Sequence, residues 1–142
     1  MSEADNRRAV ERLFEGLNAK NPEVMNEVFS DDSEMAYPQS GEVILGRTNR
    51  QAVYTAFPEL PSIAPYRTIA SGDIVVSEAI LDYGNDDLYN TVFIFECRYG
   101  KILRETAYWS KPFPAPEWRS PWVEKAAPAT PEAPEAPEAP ET

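Results

Sequence analysis

The sequence contains no histidine, and this absence restricts its chemistry more than any motif does. Histidine is the usual acid–base group near neutral pH and the commonest metal ligand. Ser–His and Cys–His nucleophilic sites are therefore excluded, as is histidine-ligated zinc or iron. Proton transfer has to use a carboxylate of raised pKa, a tyrosine or a lysine. Cysteine is nearly as scarce. Cys97 stands alone, which excludes an internal disulfide and a thiolate metal cluster, and its apolar neighbours mark it as a small core residue. Adjacent acids occur only at Asp31-Asp32 and Asp86-Asp87, both of which read as solvated turns, so no metal and no cofactor is expected.

Positive charge is also in short supply. Lys and Arg number 13 against 24 Asp and Glu, for a net charge of −11. Four of the acids fall in residues 126–142, which carry no base, leaving 20 acids against 13 bases before them. A chain of this sign repels the phosphate backbone, so neither nucleic acid nor an anionic membrane is an expected partner. No apolar run reaches the length of a membrane span, and the start, M-S-E-A-D-N-R-R, lacks the apolar core of a signal peptide. A cytoplasmic address is the expectation. The hydrophobic share of 42% and the length of 142 residues suit one soluble domain. Such a chain buries roughly two-thirds of its unfolded surface.

Within those limits the organisation is legible. Ser2 and Asp5 form a capping box ahead of Val10, Leu13, Phe14 and Leu17, which share one helical face. Asn21-Pro22 restarts the chain as N-cap and first helical residue, followed by the stripe Val24, Met25, Val28 and Phe29. The segment Asp32 to Arg50 reads as a strand from Glu34, a turn at Ser40-Gly41, a short strand and a helix start. Thr48 and Gln51 are spaced as a capping box there, for a helix over about Asn49 to Phe57. Pro58, Pro61 and Pro65 predict an irregular connection. From Tyr66 the period changes to two, with strands over Ile74–Tyr83, Leu88–Tyr99 and Ile102–Trp109. Residues 112–125 read as a proline-rich arm that lays Phe113, Trp118 and Trp122 onto the domain surface. Residues 126–142, a Pro/Glu/Ala repeat, read as a disordered tail.

This order, with the blocks Y-P-Q-S-G-E-V-I-L-G-R and Y-G-K-I-L-R-E-T-A-Y-W, resembles the SnoaL-like branch of the nuclear transport factor 2-like superfamily. Polyketide cyclases, limonene epoxide hydrolase and ketosteroid isomerase share that order. The resemblance spans about residues 5–111 and implies an α+β, cone-shaped fold, with three N-terminal helices packed on a curled antiparallel sheet over residues 1–111. It also implies a conical pocket for a small hydrophobic ligand. Strand alternation places Phe93, Phe95 and Cys97 on one face, assigned inward. On the last strand, resemblance to the epoxide hydrolases turns the set Leu103, Glu105, Ala107 and Trp109 into the pocket.

Glu105 is then the candidate catalytic carboxylate, because burial among Phe93, Phe95 and Trp109 would raise its pKa. Its other reading is a surface acid paired with Arg104 or Lys101. Tyr37 or Tyr108 is the candidate hydrogen-bond donor, and Tyr37 and Gln39, two residues apart, are candidate contacts at the pocket wall. Both could equally be ordinary edge-strand residues beside a turn. Glu78 and Asp82 share a face and would serve acid–base work if inward, or solvent or a dimer partner if outward. The expected ligand-binding wall is Phe14, Leu17, Phe29, Gln39, Phe93, Phe95 and Trp109. A cofactor-free isomerase, cyclase or hydrolase and a non-catalytic binding or dimerisation module both fit. The remaining apolar set, Ile74, Val76, Ile80, Val92 and Ile94, predicts a homodimer through the other face of the sheet.

Overall fold

A computed structural model describes residues 2–127. Helix α1 (Glu3–Asn18) starts on the expected box: the Asp5 amide donates to Ser2 Oγ at 3.1 Å and the Ser2 amide to Asp5 Oδ2 at 3.2 Å. Its buried face carries Val10, Leu13, Phe14 and Leu17. Helix α2 (Pro22–Glu27) follows, capped by Asn21 Oδ1, which accepts from the Glu23 and Val24 amides. The two helices touch at Gly16, where a Cβ would stand 2.9 Å from the Met25 amide nitrogen, so only glycine permits this approach. Asn18 then ties the end of α1 to the sheet, donating to the Ile63 carbonyl and accepting from its amide.

The sheet contains β1 (Phe29–Tyr37), β2 (Glu42–Leu45), β3 (Ser62–Ser71), β4 (Ile74–Asp82), β5 (Leu88–Arg98) and β6 (Lys101–Ser110). Its order is β2-β1-β6-β5-β4-β3, with helix α3 (Gly46–Ala56) between β2 and β3. The α+β class expected from the sequence is the one observed. The sheet is mixed, however, because β1 returns beside β6 in parallel while every other pair is antiparallel. That pairing joins strands far apart in sequence, which a local pattern does not reveal.

Several details correct the sequence reading. Helix α3 starts at Gly46, so Thr48 lies inside the first turn and no side chain caps the helix. Strand β1 begins at Phe29 rather than Glu34. Pro58 and Pro61 lie in a loop, as expected, but Pro65 lies within strand β3. This strand lies at the sheet edge, and its register shifts between Pro65 and Arg67, the two circumstances in which a strand tolerates proline. A second register shift, between Glu96 and Cys97, pairs Cys97 with Ile102 and Glu96 with Arg104. Leu103 is the extra residue, so Ile102 is fully buried and Leu103 only half-buried. From Arg104 onward the expected alternation resumes.

The core lies between the helices and the inner face of the sheet. Phe14, Phe93 and Phe95 meet there with ring centroids 5.9–6.1 Å apart. On the outer face Val76, Ile80, Val92 and Ile94 are half-buried and Ile74 is exposed. Glu78 is also outward and paired with Arg67, and exposed Asp82 accepts from the Gly84 amide, so the inward acid pair is excluded. The arm does not lay its aromatics down. Phe113, Trp118 and Trp122 are 74%, 74% and 78% exposed, the last two on a 3₁₀ turn over Glu117–Trp122. Prolines 112, 114 and 116 lack the amide hydrogens a docked strand would need. Most of the expected tail, residues 128–142, lies outside the described residues.

Candidate functional site

A cavity of about 250 Å³ lies between the C-terminal half of α1, helix α3 with the loop after it, and the inner face of the sheet. Five of the seven aromatic and aliphatic residues expected around one cavity do line it: Phe14, Leu17, Tyr37, Phe93 and Trp109. Phe29 and Phe95 do not. Phe29 is fully buried beneath the Arg50 guanidinium, whose carbon stands 3.5 Å from the ring centroid. Phe95 is fully buried behind the wall, packed on Phe14 and Phe93. Gln39 is also outside the lining. Its side-chain oxygen accepts from the Trp109 amide at 2.7 Å, so it braces the end of β6 against the turn after β1.

Glu105 lies in the cavity wall and is 2% exposed. Its place follows from register: β6 is central, and Glu105 sits between Phe95 on β5 and Met35 on β1. Its partner is neither Arg104 nor Lys101. Arg104 faces outward to Glu34 and Glu96, and Lys101 donates to the Glu27 carbonyl. The partner is Arg50 of α3, 1% exposed, whose Nη1 donates to Glu105 Oε1 at 3.1 Å. The same nitrogen stands 3.0 Å from the Tyr54 hydroxyl oxygen and 3.0 Å from Met35 Sδ. Arg50 and Tyr54 are four residues apart, which puts both on the same face of the helix.

The pairing is one-sided. Arg50 Nε and Nη2 are buried without a partner among the described residues. Glu105 Oε2 makes no hydrogen bond there either, yet it is not among the sealed polar atoms, so it is the oxygen that meets the cavity. Burial raises the Glu105 pKa and outweighs Arg50, which acts in the opposite direction. The buried guanidinium favours the carboxylate form of Glu105, because a buried cation is costly without a counter-charge. Burial also raises the pKa of Tyr37 and Tyr54, with Glu105 adding to both, which keeps the phenols protonated as donors. The Tyr54 oxygen accepts from Arg50, and its proton is 3.9 Å (oxygen to sulfur) from Met35 Sδ at best. The Tyr37 hydroxyl has only the same sulfur, at 3.4 Å. Both tyrosines line the cavity, so a bound carbonyl or hydroxyl group could take either proton.

Sequence reasoning missed Arg50, Tyr54, Met35 and Tyr83. One signal was available: a carboxylate on the inner face of an apolar strand needs a cation, and α3, the helix before the long strands, offers only Arg47 and Arg50. The described residues contain no group of three or more acids and cysteines able to hold a metal, and no helix long and apolar enough to cross a membrane.

Residues 10–105 match the family model of the SnoaL-like domain. Among solved structures, an NTF2-like protein of unknown function from Burkholderia xenovorans is 36% identical, with a TM-score of 0.79 over 88% of this chain and 98% of that one. A putative ketosteroid isomerase from Kribbella flavida is 22% identical, with a TM-score of 0.80 over 88% and 92%. A hypothetical protein of ketosteroid isomerase-like fold from Catenulispora acidiphila, in complex with trimethylamine, is 17% identical, with a TM-score of 0.64 over 72% and 85%. At these identities the last two speak for the fold alone. No curated protein matches the sequence.

Proposed function

The chain belongs to the SnoaL-like family, and from that premise we propose that its cavity binds a small, largely apolar organic molecule and that Glu105 moves a proton on it. The observation that carries this reading is the divided carboxylate. Oε1 is held by Arg50, and Oε2 meets the cavity. Its burial supplies the raised basicity that general base catalysis near neutral pH needs. Tyr54 and Tyr37 stand as donors to the oxygen on which negative charge then develops. This chemistry is that of a cofactor-free isomerase or cyclase, or of a hydrolase where a bound water takes the place of the carbon acid.

A second reading rests on the same ion pair. If the Glu105 charge is committed to Arg50, the cavity is the site of a non-catalytic binding protein. Glu105→Gln separates the two, because the amide oxygen can still accept from Nη1 but cannot exchange a proton. Screening enones, epoxides and polyketide-like aromatics, the catalytic reading expects the variant to bind ligand and lose turnover. Equal turnover in both proteins removes Glu105 from the chemistry.

The reading includes a homodimer through the outer face of the sheet, supported by the half-buried Val76, Ile80, Val92 and Ile94 and the exposed Ile74. Light scattering at micromolar concentration tests it, and a monomer there rejects it. The cytoplasmic setting belongs to the same proposal and suits the lone buried Cys97, whose thiol burial pushes up to about 11.

A further inference from the structure

The cavity has two ends of different chemistry. Glu105, Tyr54 and Phe93 are buried, whereas Tyr37, Tyr83 and Trp109 line the same space half-buried, where it opens toward solvent. Tyr37 meets Trp109 edge to face with centroids 5.1 Å apart, and Gln39 pins the Trp109 backbone. Glu42 is the cross-strand partner of Tyr37, so its side chain shares that face, and it too lines the cavity. It is exposed and has no ion-pair partner among the described residues. No lysine or arginine lines the cavity. Arg50 stands behind Glu105, so that ion pair turns its negative end inward.

Three aromatic rings in the lining, a carboxylate at the rim and no lining cation favour positive charge, because the ring quadrupole is negative on its face. The kind of cation follows from the scarcity of acceptors. A primary ammonium carries three N–H donors, and besides the carboxylates the mouth has only the Tyr37, Tyr83 and Ser40 hydroxyls to receive them. An alkylated ammonium makes no such demand and presents methyl groups to the rings.

We infer that Tyr37, Tyr83 and Trp109, with Glu42, form a cage for the alkylammonium head of a ligand whose apolar body extends toward Glu105. The ligand class is a tertiary or quaternary amine of small size. The inference rests on the cavity being the ligand site, and the experiment keeps the two apart.

Phenyltrimethylammonium and its uncharged isostere tert-butylbenzene, titrated into the full chain by calorimetry, differ in charge and hardly in shape. The cation is expected to bind about tenfold more tightly, the gain of desolvated cation–π contacts. Trp109→Leu and, separately, Tyr83→Leu should cut that ratio about threefold or more, compared at a temperature at which the melting curve of each variant shows it folded. Glu42→Gln should lower it by a smaller factor, and its effect should shrink in high salt. If tert-butylbenzene binds as tightly as the cation, or if the ratio survives both aromatic variants, the cage is overturned and the cavity remains a plain apolar site. If neither probe binds, the cage falls together with the ligand-site reading.

Discussion

Two glutamates on neighbouring parts of one sheet show how little residue type decides. Glu105 on β6 and Glu78 on β4 each stand in an apolar strand, and each pairs with an arginine. The inner pair, Arg50–Glu105, has side chains 1% and 3% exposed. The outer pair, Arg67–Glu78, has side chains 64% and 25% exposed. Inside, burial raises the carboxylate pKa, and one oxygen is left to a cavity. Outside, solvent screens the pair and leaves it a minor surface contact. Position relative to the sheet, rather than the partner, makes one acid a candidate for chemistry.

Four experiments press on that contrast, starting with the largest effect. Arg50→Met leaves Glu105 buried without its cation and removes the stacking on Phe29, so urea unfolding should show a loss of about 3–5 kcal/mol. A loss as small as that of a surface variant would mean the inner pair is wet and the contrast false. Combining Arg50→Met with Glu105→Leu removes both charges, and the double variant should recover much of that loss. Simple addition of the two single effects would deny that the residues act as a pair.

The third experiment concerns pH. The folded protein holds the Glu105 proton to higher pH than the unfolded chain does, because burial raises the pKa above 4.5. This group's contribution to stability is therefore most favourable below the unfolded value and falls as pH rises through the folded one. Glu105→Gln lacks that dependence. Urea midpoints followed upward from pH 4.5 should show wild type losing stability relative to the variant, and parallel curves would contradict a raised pKa. The smallest effect belongs to the outer face. Arg67→Ala should change stability by no more than about 1 kcal/mol, with no pH signature from Glu105.

Much of the fold was legible because its signals are local. The caps at Ser2 and Asn21, the apolar stripe of α1 and the alternation of β4 and β5 each depend on residues a few positions apart. The same locality explains the errors. Pro65 reads as a strand breaker until β3 is known to be an edge strand with a shifted register. A single extra residue at Leu103 exchanged it with Ile102 without disturbing Glu105, two positions on. Phe29 and Phe95 belong to the apolar interior as expected, but an apolar pattern does not separate the wall of a cavity from the packing behind it.

The sequence by itself determined that histidine chemistry and an internal disulfide are excluded, that the chain is acidic, and that helices precede a run of long strands. It also determined that Glu105, if it shared a face with Trp109, would lie among apolar neighbours. Tertiary structure alone decided that Arg50 reaches Glu105 across 55 residues of chain, that Tyr54 shares the same guanidinium nitrogen, and that β1 runs parallel to β6. The physical reason is range. Periodicity and capping are set within a turn or a strand, whereas the pairing of a buried charge depends on how distant elements close over it and exclude water.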